Sequence, residues 1–342
     1  MSPSAAFGLL LLHSVLWSIA SAYTIDASCN ANLDFVKNMV AAGFGLVQSA
    51  YDAVAVQDIN NVDDEVKDLM KWLFTPSENY ELAQAELARV YNRINDWAQE
   101  GDSAFPNVEF YCDTNRFEKR TITEQGQPAE VVWVDKVMSP PGSGQAKRHM
   151  AIVRGVNGGS YNPEEECKKF GVSRHMSDWG KQATLAITMN MPSTTQIQIC
   201  PWFLDYVNEK AFKDSHSWKT WGVGKVARLV KLKERILERD FTMADTIFLF
   251  DKLIAHELAH AHNDRIIDVG DWEGYGWRNC LRIAQVEANE VRSEDRSAWV
   301  LGPYSNADSF ALFASAINAR GQGFRFYEDG TVDKPDVAGP SK

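Results

Sequence analysis

Between Ala244 and His262 the chain combines a helical apolar stripe with two histidines on one face, and this stretch restricts the fold more than any other. Ile247, Phe250, Leu253, Ile254 and Leu258 recur at the three-to-four spacing of a buried helix face. Thr242 and Asp245 have the spacing of a capping box at its start. Inside the stripe lies His256-Glu257-Leu258-Ala259-His260, an HExxH sequence. Helical geometry sets residues i and i+4 one turn apart on one face, so both imidazoles can reach a single ion. Glu257 then sits beside an ion-bound water, where it can take the proton as that water attacks a carbonyl. The pattern predicts a zinc site with His256 and His260 as ligands and Glu257 as general base.

A catalytic zinc takes a third protein ligand and keeps its fourth position open. The extended motif in which glycine and a third histidine follow is excluded, because Asn263 and Ile266 stand at those positions. The nearer carboxylates are Asp264, Asp268 and Asp271, and Glu287 or Glu290 could arrive from a later helix. Asp268 and Asp271 come after enough chain to fold back to the metal. His262 points to another face, and His149, His175 and His216 share no metal spacing.

Around this helix the periodicity changes twice. Residues 33 to 98 read as helices: Val36, Met39, Gly43, Leu46, Ala50 and Val54 form one stripe, Val66, Leu69, Met70 and Leu73 a second, and Ala83, Leu87, Val90, Ile94 and Trp97 a third. From about 107 to 205 short β-rich runs follow: Val108 to Tyr111, Val131 to Val134, Met150 to Val153, Leu185 to Thr188 and Gln196 to Ile199. Lys225 to Arg239 reads as a solvated helix face, and a last helix is expected over Phe310 to Ile317. Helices, then strands, then helices indicate an α+β fold rather than alternating βαβ units. The expected organisation is a leader over 1–22, a helical lobe over 23–105, a catalytic region over 106–326 and a flexible tail over 327–342.

Composition excludes several classes. The 342 residues are 45% apolar and 24% charged, which suits a chain with a real core and not a disordered one. A net charge of −11 disfavours binding to nucleic acid by bulk electrostatics. Ala5 to Ala20 form an apolar run ending in Ala20-Ser21-Ala22, the pattern of a secretory leader cut after Ala22. No later segment has the length and apolarity of a membrane span. The five cysteines contain no CxxC pair, so disulfides are expected with one thiol left over. No Asn-x-Ser/Thr acceptor for N-glycosylation occurs.

Further motifs make the chain resemble the aspzincins, the family of deuterolysin and the fungal lysine-specific metalloendopeptidases. After HExxH come Asp268-Val269-Gly270-Asp271-Trp272-Glu273-Gly274-Tyr275-Gly276, set against the family's GTxDxxYG. Asn306-Ala307-Asp308-Ser309-Phe310-Ala311-Leu312-Phe313 is similar to its NADxYxxF segment. Cys29, Phe110-Tyr111-Cys112 and Ile199-Cys200-Pro201 extend the likeness over most of the chain. Here the Gly-Thr is absent and Trp272 stands three residues before Tyr275, so the acidic ligand is reached across an insertion.

The resemblance implies a zincin-like metalloprotease fold with a small twisted sheet, and zinc held by His256, His260 and Asp268, with Asp271 as the alternative. It implies Tyr275 as a donor to the oxyanion and Asp308 beside a pocket for a basic substrate side chain, although Ser305 to Asp308 also reads as a capping box. It implies disulfides Cys29–Cys112 and Cys167–Cys200, with Cys280 free. The function so implied is that of a secreted, monomeric zinc endopeptidase acting on proteins or peptides, with neither nucleic acid nor membrane as partner. The rival is a secreted zinc-binding protein that keeps the scaffold without catalysis, against which an intact Glu257 argues.

Overall fold

The structure is a computed structural model that describes residues 22–75, 79–100, 107–122, 128–136, 162–168, 184–190, 194–209, 242–246, 249–262, 266–269, 274–285 and 302–333. Residues 1–21 of the expected leader, Met150 to Val153, Lys225 to Arg239, Asp271, Glu287 and Glu290 lie outside these residues, as do His149, His175 and His216. The fold is mixed α+β. Strand β1 (Ala22–Ile25) leads through three helices, α1 (Leu33–Val54), α2 (Asp64–Leu73) and α3 (Tyr80–Asn95), to β2 (Gln99–Glu100) and β3 (Val108–Tyr111). The hairpin β4 (Phe117–Ile122) and β5 (Glu130–Asp135) and the short α4 (Pro163–Lys168) follow. Next come β6 (Ala186–Asn190), β7 (Thr195–Ile199) and α5 (Pro201–Glu209). The C-terminal part holds α6 (Leu249–His262), α7 (Trp277–Gln285), α8 (Ala307–Gly321) and the hairpin β8 (Arg325–Phe326) and β9 (Val332–Asp333).

The main sheet has the order β2-β1-β3-β7-β6. β2, β1, β3 and β7 run parallel, and only the edge strand β6 is antiparallel, in register Thr188↔Ile197. Parallel neighbours need a long crossover, which α1 to α3 provide between β1 and β3. The helices of the first hundred residues therefore do not stand apart as a lobe. One apolar cluster runs from Tyr23 to Val332, including Val36 and Met39 of α1, Phe110 of β3, Ile254 and Leu258 of α6 and Phe313 of α8.

Contact between α1 and α6 depends on a missing side chain. Gly43 faces α6 so closely that a Cβ there would lie 2.5 Å from Ile254 Cβ. Its placement in the buried stripe of α1 lets the two backbones approach. Two disulfides, Cys29–Cys112 and Cys167–Cys200, close loops of sequence separation 83 and 33. In the chain-entropy account each contributes about 4 kcal/mol by restricting the unfolded chain. Cys280 is free and buried. Among the described residues no helix is long and apolar enough to cross a membrane.

A buried ion pair closes the base of the β4/β5 hairpin and meets the main sheet at Tyr111 of β3 and at Gln196 of β7, whose amide donates to Asp135. Arg116 bonds Asp135 at 3.1 Å and lies over the Tyr111 and Phe117 rings. Phe117 and Trp133 pack on Ile187 and Met189, covering one face of β6. The pattern of the sequence does not announce β4, where only Phe117 and Ile122 at the two ends are apolar and the four residues between them are charged or polar. The tail expectation also needs correcting, because residues 327–333 belong to the β8/β9 hairpin, where Phe326 and Val332 are buried.

The α1/α6 contact yields a paired test. Gly43→Ala should destabilise the protein by about 1–3 kcal/mol, since the clash falls on the stem of Ile254 and cannot be relieved by a rotamer change. Gly45, where an added Cβ would meet no atom within 4 Å, is the control. Gly45→Ala should be stabilising by about 0.5–1 kcal/mol, as expected for an exposed helix interior. Urea unfolding of both variants checks the contrast.

Candidate metal centre

The site is built on α6, whose approach is set by Asp245. Thr242 donates to the Asp245 carboxylate through both its backbone N–H (2.6 Å) and its hydroxyl (3.0 Å), half of the expected capping box. The other Asp245 oxygen accepts from the Trp277 N–H at 2.7 Å, so one carboxylate ties the approach to α6 to the start of α7. Here the chain forms a 3-10 turn over Ala244–Thr246 before the α-helix proper starts at Leu249.

On α6, Lys252, His256 and His260 follow one another at intervals of four residues, on one face. His260 Nδ1 lies 2.7 Å from the Ile266 carbonyl, and His256 Nδ1 lies 3.3 Å from Asp308 Oδ1. Each of those acceptors takes an Nδ1–H, which leaves both Nε2 lone pairs free to bind an ion. The two Nε2 atoms are 3.1 Å apart. Asp268 Oδ1 stands 3.0 Å from His256 Nε2 and 3.3 Å from His260 Nε2. Ligand atoms about 2.05 Å from a tetrahedral ion sit about 3.3 Å from one another, so this triangle has the dimensions of three zinc ligands. Asp268 Oδ1 is also buried without a hydrogen bond of acceptable geometry, although 34% of its side chain is exposed. A buried anionic oxygen aimed at two imidazole nitrogens fits a cation better than it fits the protein alone.

The chain returns to α6 through a backbone clamp. Ile267 and Asn306 form an isolated parallel bridge, with Ile267 N–H donating to the Ser305 carbonyl and Ala307 N–H to the Ile267 carbonyl. Asn306 adds its side chain, accepting from the Val269 N–H and donating to the Gly274 carbonyl. Asp268 is thereby fixed between two bonded neighbours. Sequence spacing placed it within reach; the clamp is a long-range pairing that no local pattern reveals.

Asp308 points into the protein. It is only 2% exposed, and its oxygens meet Lys252 Nζ at 2.9 Å, His256 Nδ1 and the Gly276 N–H at 2.7 Å. This chain's own Lys252 already answers the charge that the resemblance set beside a basic substrate side chain. The capping-box reading is corrected: the α8 N-cap, Asn306, makes no side-chain cap bond, and Asp308 reaches the start of α7 instead. Gly276 has φ +86°, the left-handed region that lets its N–H turn towards Asp308. Burial alone would raise the Asp308 pKa, but Lys252 and His256 hold it down to about 2. Burial likewise opposes charge on His256, yet Asp268 and Asp308 raise its pKa to about 10. A field that holds a proton so firmly also favours a divalent cation in its place.

Tyr275 stacks on His256, with ring centres 5.4 Å apart and planes 19° from parallel. Burial, and then the Asp268 carboxylate, push its pKa well above normal, so the hydroxyl keeps its proton. Glu257 is 4% exposed and accepts from the Thr188 hydroxyl at 2.7 Å. His262 lies apart, 3.2 Å from Arg89. Thr188, Lys252 and the Asn306 clamp were missed by sequence reasoning. Of these only Lys252 carried a local signal, one turn before His256.

Among the described residues His256, His260 and Asp268 form the one group of His, Cys, Asp or Glu ligand atoms close enough for a shared ion. No protein-family model, curated protein or solved structure matches the chain.

Two substitutions separate ligand from support. Asp268→Ala leaves two histidines in the cluster, and after incubation with zinc the dialysed variant should retain far less of the ion than the unaltered chain. Asp308→Asn keeps the shape but weakens the hold on His256, so zinc affinity should fall about 10- to 100-fold, as for other partners of metal-bound histidines. Competition with a coloured chelator measures both.

Proposed function

We propose that the chain is a secreted zinc metalloendopeptidase of zincin-like fold, similar to the aspzincins, in which His256, His260 and Asp268 hold the metal. The observation that carries this reading is the triangle of Nε2, Nε2 and Oδ1 atoms with sides of 3.0 to 3.3 Å. Zinc bound there would supply a Lewis acid that lowers the pKa of water and polarises a carbonyl.

The chain's own residues supply the rest. Glu257 takes the proton of the attacking water on its carboxylate and returns it to the departing amine. Tyr275, its hydroxyl kept protonated, is the donor for the oxyanion of the tetrahedral intermediate. Lys252 and Asp308 hold the His256 ring in one orientation, with its Nδ1 engaged. With Asp308 already paired inside the protein, it gives no ground for a preference for basic side chains. Two disulfides suit an oxidising compartment.

Simple metal capture explains less. Glu257 lies outside the ligand group, yet it is buried and hydrogen-bonded beside it. A zinc store has no use for such a carboxylate.

The deciding measurement is digestion of a reduced, unfolded protein by the zinc-loaded chain, with and without chelator, and mass mapping of the cuts. Glu257→Gln should keep its zinc and lose at least about 100-fold in rate, because an amide cannot accept the water's proton. A variant as fast as wild type would rule out Glu257 as base.

A further inference from the structure

Glu257 has a partner that the zinc chemistry does not require. β6 alternates its faces as a strand must. Ile187 and Met189 point to the β4/β5 hairpin, where they pack with Phe117 and Trp133. Thr188 and Asn190 point the other way, onto α6. Asn190 Nδ2 donates to the His260 carbonyl at 3.1 Å. The Thr188 hydroxyl lies 3.1 Å from the Glu257 carbonyl and 2.7 Å from its Oε2. A hydroxyl has one proton to give, and the shorter, charge-assisted contact to the carboxylate is the stronger one. Among the described residues this is the hydrogen bond that the Glu257 carboxylate receives.

We propose that Thr188 is a positioning residue that holds one oxygen of Glu257 so that the other faces the water whose proton it takes. This rests on the hydrolase reading above. A glutamate has three side-chain torsions, and sequence alone gives Glu257 no reason to prefer the one that serves catalysis. Thr188 removes that freedom from two directions. Its hydroxyl pins Oε2, and its own χ1 is stiff because the side chain is β-branched. The strand beneath it is fixed in turn by β7 on one side and by the hairpin on its outer face. The carboxylate is thereby aligned before substrate arrives, which is where an effective enzyme keeps the cost of ordering. The Thr188 hydroxyl bonds Glu257 and none of His256, His260 and Asp268, so metal binding and base alignment are separable.

The test uses the zinc-loaded full chain and a peptide containing a bond that the wild-type protein cuts. Thr188→Val keeps the branched shape and removes the donor; Thr188→Ser restores the donor without the methyl group. The valine variant is expected to keep zinc affinity and KM within about threefold while kcat falls about 10- to 100-fold. The serine variant should recover most of that loss, and a crystal structure of the valine variant should have the Glu257 carboxylate displaced. Thr188→Val with wild-type kcat overturns the proposal, as does a loss that follows zinc release or is not relieved by serine. A wild-type chain that binds zinc and cuts nothing overturns the hydrolase reading and this proposal with it. An inactive Glu257→Gln beside a fully active Thr188→Val overturns this proposal alone.

Discussion

A carboxylate buried as deeply as Asp308 is costly unless every lone pair is answered. The answers fix much of the C-terminal half. Lys252 brings a positive charge from α6, His256 a ring N–H from one turn later, and Gly276 a backbone N–H from the start of α7. Each donor belongs to an element that must be in place before the charge is tolerable. Loss of Lys252 would leave an uncompensated ion in the core, and loss of either other donor would leave a lone pair unanswered. The arrangement therefore couples the packing of α6, α7 and α8 to the orientation of a single imidazole.

Asp245 does similar work nearby. It receives Thr242 on one oxygen and the Trp277 N–H on the other, so the first turn of α7 meets two carboxylates rather than water. Helix N-termini favour negative charge, and α7 has two of them within its first backbone groups. Asn306 performs the neutral counterpart, stitching the segments at Val269, Gly274 and Ser309 around one amide. Polar contacts of this kind specify geometry, while Gly43, Ile254 and the large apolar cluster supply the burial.

How far these features could be read from the chain depended on the range of the interaction. The stripes of α1, α2 and α3 and the face shared by His256 and His260 are local periodicities, and they matched the observed helices closely. Strands β3, β5, β6 and β7 lay within two residues of their expected positions. Asp268 was a choice between two acidic residues, and the described geometry brings Asp268 to the histidines. The parallel pairing of β1 with β3, the bridge from Ile267 to Asn306 and the inward turn of Asp308 join residues far apart in sequence. Nothing in a window of a dozen residues encodes them. The motif around Asp308 is visible in the sequence, while Lys252, which satisfies its charge, stands 56 residues away.

Cys280 gives the same core a bearing on how the protein matures. Its thiol is sealed beside Asp308, Asn306 and the Gly274 carbonyl, and burial raises its pKa well above normal. Thiol exchange needs an accessible thiolate, so the finished protein offers no attack from this position. Before α7 docks, however, the same sulfur can compete for any partner. Cys29, Cys112, Cys167 and Cys200 all precede it in the chain. During synthesis from the N-terminus both correct pairs can close before the fifth sulfur emerges. Refolding of the whole reduced chain lacks that head start, and the order of synthesis itself becomes a safeguard against scrambled bridges.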